Sequence, residues 1–150
     1  MKATITESFP GASTATLFAN IATLDRYPPW MRLVHRVTPM APDDQGPAWW
    51  VELRARVGPF TRSKQLRMVR TQFVDNELVK FERVQDDERD HAEWILVGEL
   101  SAASDGPQLT MHLEYTGELW SRKVLGKILD DEVRRSTAAL AELLNEPPRH

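Results

Sequence analysis

The stretch WILVGELSAASDGPQLTMHLEY, residues 94–115, predicts two antiparallel strands joined by a turn at Ser104 and Asp105. Successive side chains of a strand point to opposite faces, and the turn fixes which residues stand opposite one another. On one face, apolar residues stand opposite apolar residues throughout: Trp94, Leu96, Gly98 and Leu100 opposite Tyr115, Leu113, Met111 and Leu109. We therefore expect this face of the hairpin to be buried.

The same buried face continues through three earlier strands, predicted at residues 48–57, 62–74 and 78–85. A turn at Asp87 and Glu88 places Val79 beside Leu96 and Phe81 beside Trp94, and turns at 75–76 and 58–60 add the other two strands. The inward positions are Val79, Phe81, Arg83, Leu66, Met68, Arg70, Gln72, Trp49, Val51, Leu53 and Ala55. The strand predicted at 33–40 has no assigned register against the strand at 48–57, because the proline-rich link 39–47 lies between them. With the hairpin strands at 91–101 and 108–117, the pattern predicts an antiparallel meander.

The N-terminal region predicts a strand at residues 2–8 and then two short helices. Ser13 or Thr14 is a suitable N-cap for the first helix, whose apolar residues recur at helical spacing: Leu17, Phe18, Ile21 and Leu24. The second helix is predicted from Asp25 to Met31, since proline is tolerated in a first helical turn. Within it, Tyr27 and Trp30 are large rings that are interpreted as core packing.

The C-terminal stretch from about Leu119 to Leu144 predicts one long amphipathic helix. Its apolar stripe contains Val124, Leu125, Ile128, Leu129, Val133, Leu140 and Leu143. A sheet with one apolar face and a helix with one apolar stripe bury these surfaces on each other. The sequence therefore predicts a single α+β domain, residues 1–150, in which a curved antiparallel sheet wraps around the terminal helix.

Composition limits the classes of function. The chain of 150 residues has a formal net charge of −3, which disfavours nucleic acid as a partner. It contains no cysteine, and no apolar run approaches the roughly 20 residues of a membrane span. We expect a cytoplasmic protein without an integral membrane segment, either a monomer or a homodimer through an exposed sheet edge.

Histidine and acidic residues give little sign of a metal or catalytic centre. The register places His91 and His112 on the outward face, and only His35 has no assigned face. Pairs such as His112 and Glu114 have the spacing of metal ligands, but they are predicted to point to solvent. Glu52 and Arg67 are also predicted to point to solvent and are expected to stand opposite each other as an exposed ion pair. No metal and no cofactor are predicted.

Three stretches resemble the START-related, Bet v 1-like proteins, specifically the polyketide cyclase/dehydrase and lipid-transport group of the SRPBCC superfamily. They are LFANIATLDRYPPWM, GPFTRSKQLRMVRT and LDDEVRRSTAALAELL, together with the element order of the whole chain. The resemblance implies a helix-grip fold. It also implies a cavity between the sheet and the terminal helix that binds apolar molecules such as lipids, polyketides or isoprenoids. In such folds the short helix pair helps to form the cavity rim, which is the alternative interpretation of Tyr27 and Trp30.

The candidate ligand-binding residues are those expected to face this cavity: Trp30, Trp49, Leu53, Leu66, Met68, Arg70, Phe81, Arg83, Trp94, Leu96, Met111, Leu113, Tyr115, Leu125, Ile128, Leu129 and Glu132. At 100° per residue, Ser136 lies in the centre of the helical stripe and Glu132 beside it. Because a lone buried carboxylate is costly, Arg70 or Arg83 is expected to pair with Glu132. This pair is either structural or part of a site for a carbonyl-bearing ligand.

The leading hypothesis is a binding protein for a small hydrophobic or aromatic molecule. The alternative is a polyketide cyclase/aromatase or dehydratase, with Arg70, Tyr115 and Glu132 as candidate catalytic residues. A third class, a protein-interaction module, would have a filled core and an exposed apolar patch instead of a cavity.

Overall fold

The computed structural model describes residues 2–57, 59–84, 93–116 and 122–145. In these residues the elements are β1 (Lys2–Ser8), α1 (Thr14–Ile21), a 3-10 helix (Leu24–Arg26), β2 (Val34–Asp43), β3 (Gly46–Val57), β4 (Phe60–Val74), β5 (Leu78–Arg83), β6 (Trp94–Ala103), β7 (Gly106–Tyr115) and α2 (Arg122–Asn145). The strands form one antiparallel sheet in the order β1-β7-β6-β5-β4-β3-β2. The predicted α+β class, with a curved antiparallel sheet and a long C-terminal helix, is confirmed.

The β6–β7 hairpin has the predicted register, with Trp94 opposite Tyr115 and Leu96 opposite Leu113. The predicted β5–β6 register is wrong by two residues, since Phe81 stands opposite Leu96 rather than Trp94. A shift of two leaves every side chain on the same face, so the buried face is unaffected. The turn predicted at Asp87 and Glu88 lies outside the described residues.

The prediction that Gln72 faces inward is wrong. The pairing of β4 with β5 shifts between Arg70 and Gln72, so that Phe73, not Gln72, stands opposite Val79. Such a shift moves every later residue of the strand to the other face. Gln72 is consequently exposed, and the Phe73 ring packs against Phe18 of α1, with the ring centroids 5.6 Å apart.

The expected pairing of Glu52 with Arg67 is also wrong. Residue 52 stands opposite Gln65, whereas Arg67 donates from Nη1 to an Asp43 carboxylate oxygen at 3.1 Å. Both side chains of this ion pair are 19% exposed. Hydrogen bonds from the Gln45 amide and from Arg67 hold the pKa of Asp43 below its usual range.

The link predicted at residues 39–47 is mostly strand. β2 runs to Asp43 and turns into β3 through Asp44 and Gln45, with Asp43 opposite Gly46. Prolines lack the amide hydrogen of a sheet ladder, and they are tolerated here because β2 is an edge strand whose register shifts between Met40 and Asp43. The proline signal therefore marked a sheet edge, not a loop.

The segment between α1 and β2 follows its prediction only in part. Ser13 caps α1 as expected, its hydroxyl accepting from the Thr16 amide at 3.3 Å. The second helix ends at Arg26, and a turn follows in which the Tyr27 carbonyl accepts from the amides of Trp30 and Met31. Pro28 and Pro29 have no amide hydrogens for the bonds that would continue the helix.

Two helices cover the inward face of the sheet. The end of α1 lies over β5 and β6, where a Cβ atom at Gly98 would be 3.1 Å from Ile21 Cδ1. Helix α2, predicted from about Leu119 and described from Arg122, packs against β1 and buries Leu140 and Ser136. Ser136 is thus buried, as expected for a residue of the apolar stripe.

Candidate functional site

The inward face of the sheet contains a small cavity of about 30 Å³. Its described lining consists of Leu24, Met31, Leu33, Val34, Val51, Leu53, Leu66, Met68, Trp94, Leu96 and Leu113. The volume is close to the roughly 30 Å³ that one water molecule occupies in the liquid, but a buried water needs two to four polar partners. Trp94 carries the one strong donor among these side chains, so the lining suits apolar atoms better than water.

The apolar and aromatic residues predicted to bind the ligand divide into three sets in the structure. Leu53, Leu66, Met68, Trp94, Leu96 and Leu113 line the cavity. Trp30, Trp49, Phe81, Met111 and Tyr115 are buried in the surrounding core. The side chains of Leu125, Ile128 and Leu129 lie outside the described residues. A role of any of these residues in binding stays a prediction.

The tryptophan indoles differ in how their N–H groups are satisfied. Trp49 Nε1 donates to an Asp25 carboxylate oxygen at 3.0 Å, and Trp50 Nε1 donates to Gln65 at 3.2 Å. Trp30 Nε1 and Trp94 Nε1 are buried and have no acceptor within the part of the chain that the structure describes. The large majority of buried polar side-chain atoms in proteins do have a partner. Trp94, which is 2% exposed and lines the cavity, is therefore the unusual group of this site.

The RYPPW segment serves mainly as packing. The Tyr27 hydroxyl donates to the Ile21 carbonyl at 2.8 Å, and burial raises the pKa of this tyrosine. Its ring contacts Trp30, with centroids 4.6 Å apart, and Phe81, with centroids 5.9 Å apart. These contacts support the interpretation of Tyr27 as core packing.

Arg70 reaches the end of α1. Its Nη1 donates to the carbonyl of Ala22, the C-cap residue, at 2.8 Å, and its guanidinium carbon lies 4.2 Å from the centre of the Phe73 ring. A cation at a helix C-terminus also interacts favourably with the helix dipole. Arg70 therefore joins the sheet to α1, and it does not supply the partner expected for Glu132.

Glu132 instead holds the segment before β2. One of its carboxylate oxygens, Oε1, accepts from the Leu33 amide at 3.0 Å and from the Ser136 hydroxyl at 3.4 Å. A pairing with Arg83 stays a prediction. Arg83 is half-buried near Lys64, whose pKa is lowered by burial and by the charge of Arg83.

An open groove of about 380 Å³ lies beside the cavity, between α2, the end of β3 and the segment before β2. Its lining comprises Arg32, Leu33, Arg54, Ala55, Arg56, Asp131, Glu132 and Arg135. Leu33 lines both the groove and the cavity, so the two spaces adjoin at this residue. The sequence prediction did not include this groove.

The histidines lie away from the cavity where they are described. His35 is exposed, with Nε2 3.6 Å from a Glu52 carboxylate oxygen, and His112 bonds Thr4 on the outward face as predicted. His91 lies outside the described residues. Among those described, no group of three His, Cys, Asp or Glu side chains could hold a metal ion. No described helix has the length and apolar character needed to cross a membrane.

The family model described as polyketide cyclase / dehydrase and lipid transport matches residues 10–141. The chain belongs to this family. The predicted resemblance is thereby confirmed, and the family supports a role in ligand binding or one similar to that of polyketide cyclases. No curated protein matches the chain significantly in sequence.

Solved structures of low sequence identity share the fold of this family member. Protein CV1439 from Chromobacterium violaceum is 14% identical with a TM-score of 0.67, covering 97% of this chain and 98% of its own. The di-domain ARO/CYC StfQ from the steffimycin biosynthetic pathway is 12% identical with a TM-score of 0.68, over 96% of this chain and 51% of StfQ. Ara h 8.0201 is 9% identical with a TM-score of 0.64, over 96% of this chain and 97% of its own. These similarities confirm the Bet v 1-like fold.

Sequence reasoning missed Leu24, Met31, Leu33 and Val34 as lining residues, left the inward-facing Val51 out of the candidate set, and missed the groove. The first four run from the 3-10 helix to the first residue of β2, whose register the proline-rich link 39–47 left open. The signal was present in Asp44 and Gln45, which form the turn that pairs Asp43 with Gly46, and two register shifts along β2 then place Val34 opposite Leu53. The groove arginines come from three separate elements, and no local pattern brings them together.

Proposed function

We propose that this protein binds a small apolar or aromatic molecule that carries a hydrogen-bond acceptor, held between the sheet and α2. The observation that carries the proposal is the buried N–H of Trp94, a side chain that lines the apolar cavity and whose indole has no acceptor among the described residues. A buried donor without an acceptor is costly, and a ligand carbonyl would remove that cost. Polyketides, and lipids or isoprenoids with an oxygen function, have this chemistry.

The cavity must enlarge to hold such a molecule. Ligand pockets usually measure about 300–1,000 Å³, far more than the enclosed space described here. Met31 and Met68 both line the cavity, and their unbranched side chains adopt other rotamers easily. The adjoining groove, about 380 Å³, adds room on the far side of Leu33. We expect the ligand to displace side chains around Leu33 and to extend toward the groove.

The proposal is tested with two probes of similar shape, 2-acetylnaphthalene and 2-isopropenylnaphthalene, of which only the first has a carbonyl. We expect the wild type to bind both in isothermal titration calorimetry. Trp94→Phe should weaken binding of the carbonyl probe by about tenfold, because one hydrogen bond is lost, and leave the hydrocarbon within about twofold. Trp50→Phe, on the outward face, is the matched control and should change neither affinity.

Two results would contradict the proposal: no binding of either probe to the wild type, or the same loss for both probes in Trp94→Phe. The second result would show that the Trp94 indole contributes apolar contact area and no hydrogen bond to the ligand. Native mass spectrometry of the freshly purified protein gives an independent check, since a retained apolar molecule would identify the ligand class directly.

The second candidate is a cyclase/aromatase or dehydratase acting on a carbonyl-rich substrate. The position of Glu132 favours it, because this carboxylate lies in the groove next to Leu33 of the cavity lining. Both of its described bonds use Oε1, which leaves Oε2 to remove a proton from a carbon between two carbonyls. Similarity of fold to an ARO/CYC protein is an analogy and carries no residue role.

For this candidate, we expect Glu132→Gln to abolish cyclisation of an aromatic polyketone while changing its binding by less than about threefold. The glutamine retains the acceptor for the Leu33 amide, so the local structure is preserved. Glu142→Gln, an exposed position on the same helix, is the control. Wild-type protein that binds the polyketone and returns it unchanged would exclude the enzyme and leave the binding protein.

A further inference from the structure

The groove beside the cavity is strongly cationic. Its described lining contains Arg32, Arg54, Arg56 and Arg135 and two carboxylates, Asp131 and Glu132, so the described residues contribute four positive and two negative charges, a net +2. The whole chain, in contrast, has a net charge of −3. A cationic pocket on an acidic protein is a local arrangement that the overall composition does not predict.

The positive charges of this groove are only partly neutralised by the residues that the structure describes. Within the described residues, Arg32, Arg56 and Arg135 form no salt bridge, while Arg54 Nη2 lies 3.4 Å from a Glu52 carboxylate oxygen. One of the two acids, Glu132, is engaged with the Leu33 amide and with Ser136. On the outward face, several cations do have partners, as in the pairs Arg67–Asp43, Lys2–Glu114 and Lys80–Glu82. Unpaired guanidinium groups gathered in one concavity repel each other, and an anion would relieve this repulsion.

From this arrangement we infer that the groove binds the anionic oxygen group, a carboxylate or a phosphate, of an amphipathic ligand whose apolar part enters the cavity. The inference rests on the proposed function and specifies its ligand class. Guanidinium forks match carboxylate and phosphate oxygens in bidentate geometry. Leu33 lines both spaces, so one molecule can occupy them together. The concave shape and the volume of about 380 Å³ suit a small-molecule group rather than a flat macromolecular surface.

The test uses three ligands with the same ten-carbon chain: decanol, decanoate and decyl phosphate. Binding is measured by calorimetry at low and high salt. We expect the wild type to bind at least one of the two anions about tenfold more tightly than decanol, and this advantage should shrink as salt rises. Comparison of decanoate with decyl phosphate identifies which oxygen group the groove prefers.

The variant that tests the groove is Arg32→Gln/Arg135→Gln. It should reduce the advantage of the anion over decanol to about threefold or less, while the affinity for decanol stays unchanged. Arg134→Gln/Arg36→Gln is the matched control, because it removes the same charge from exposed positions on α2 and β2 that do not line the groove. This control should retain the advantage.

The possible failures are distinguishable. Equal affinity of the wild type for decanol and for both anions would overturn the inference and leave the proposed function standing. An equal loss in the control variant would also overturn it, because the effect would then come from net charge and not from the groove. If none of the three ligands binds, the protein does not bind molecules with a ten-carbon chain. The proposed function is then contradicted for this ligand class, and the inference is contradicted with it.

Discussion

The two ends of the inward sheet face differ in how their polar groups are satisfied. At the end covered by α1, the Tyr27 hydroxyl, the Trp49 indole and the Arg70 guanidinium each have a defined acceptor, and the exception is the Trp30 indole, whose ring contacts Tyr27. At the other end, within the described residues, the Trp94 indole has no acceptor, and the arginines of the groove lack carboxylate partners apart from a long contact of Arg54 with Glu52. The first end is mainly a packed core. The second has the properties of a site that an external molecule completes.

This difference separates residues that hold the fold from residues available for binding. Buried polar groups with partners make the native packing unique, whereas buried groups without partners are costly and mark places where another component belongs. We therefore expect substitutions at the α1 end to change stability and to leave ligand affinity unchanged. Substitutions at the groove end should do the reverse.

The largest expected effect is at Ile21, the fully buried last residue of α1. Ile21→Ala should lower the free energy of unfolding by about 3 kcal/mol, since it removes buried methyl groups and leaves a cavity. Urea unfolding measures this loss. Affinity for 2-acetylnaphthalene should stay within about twofold of the wild type at a temperature where the variant is folded.

Ala19→Ser, at an exposed position of the same helix, is the control for Ile21→Ala and should change stability by less than about 0.5 kcal/mol. A stable Ile21→Ala protein that has lost ligand binding would break the comparison. It would show that the ligand lies under α1 and not beside Trp94.

A smaller effect is expected at Arg70. Arg70→Gln should lower the free energy of unfolding by about 2 kcal/mol, because it removes a charged hydrogen bond to Ala22 and the contact with the Phe73 ring. Arg62→Gln, exposed on the same strand, should have almost no effect. Unchanged stability with a loss of ligand binding or turnover would return Arg70 to the candidate catalytic residues.

The sequence predicted the face of the sheet better than its register. Alternation of apolar residues assigned the inward positions of β6 and β7 correctly, and the two-residue error between β5 and β6 did no harm because side chains repeat every second residue. The Gln72 error had a different cause. A one-residue irregularity in β4 reverses which side chains face inward, and the local composition does not indicate its position.

The site was predictable only where it follows from alternation. Leu53, Leu66, Met68, Trp94, Leu96 and Leu113 could be identified because burial selects apolar residues on one face. The missing indole acceptor and the arginine groove depend on distances between elements far apart in the chain. Arg32 and Arg135, for example, are more than a hundred residues apart, and only the folded chain brings them to one groove.

The prolines of the edge strand bear on self-association. Pro39 and Pro42 lack amide hydrogens, and the pairing of β2 with β3 shifts twice along its length. An incoming strand would therefore meet an interrupted row of donors on this side of the sheet, a device that protects exposed edges from fibrillar aggregation. A homodimer formed by strand addition would have to use β1, at the opposite edge, whose seven residues contain no proline.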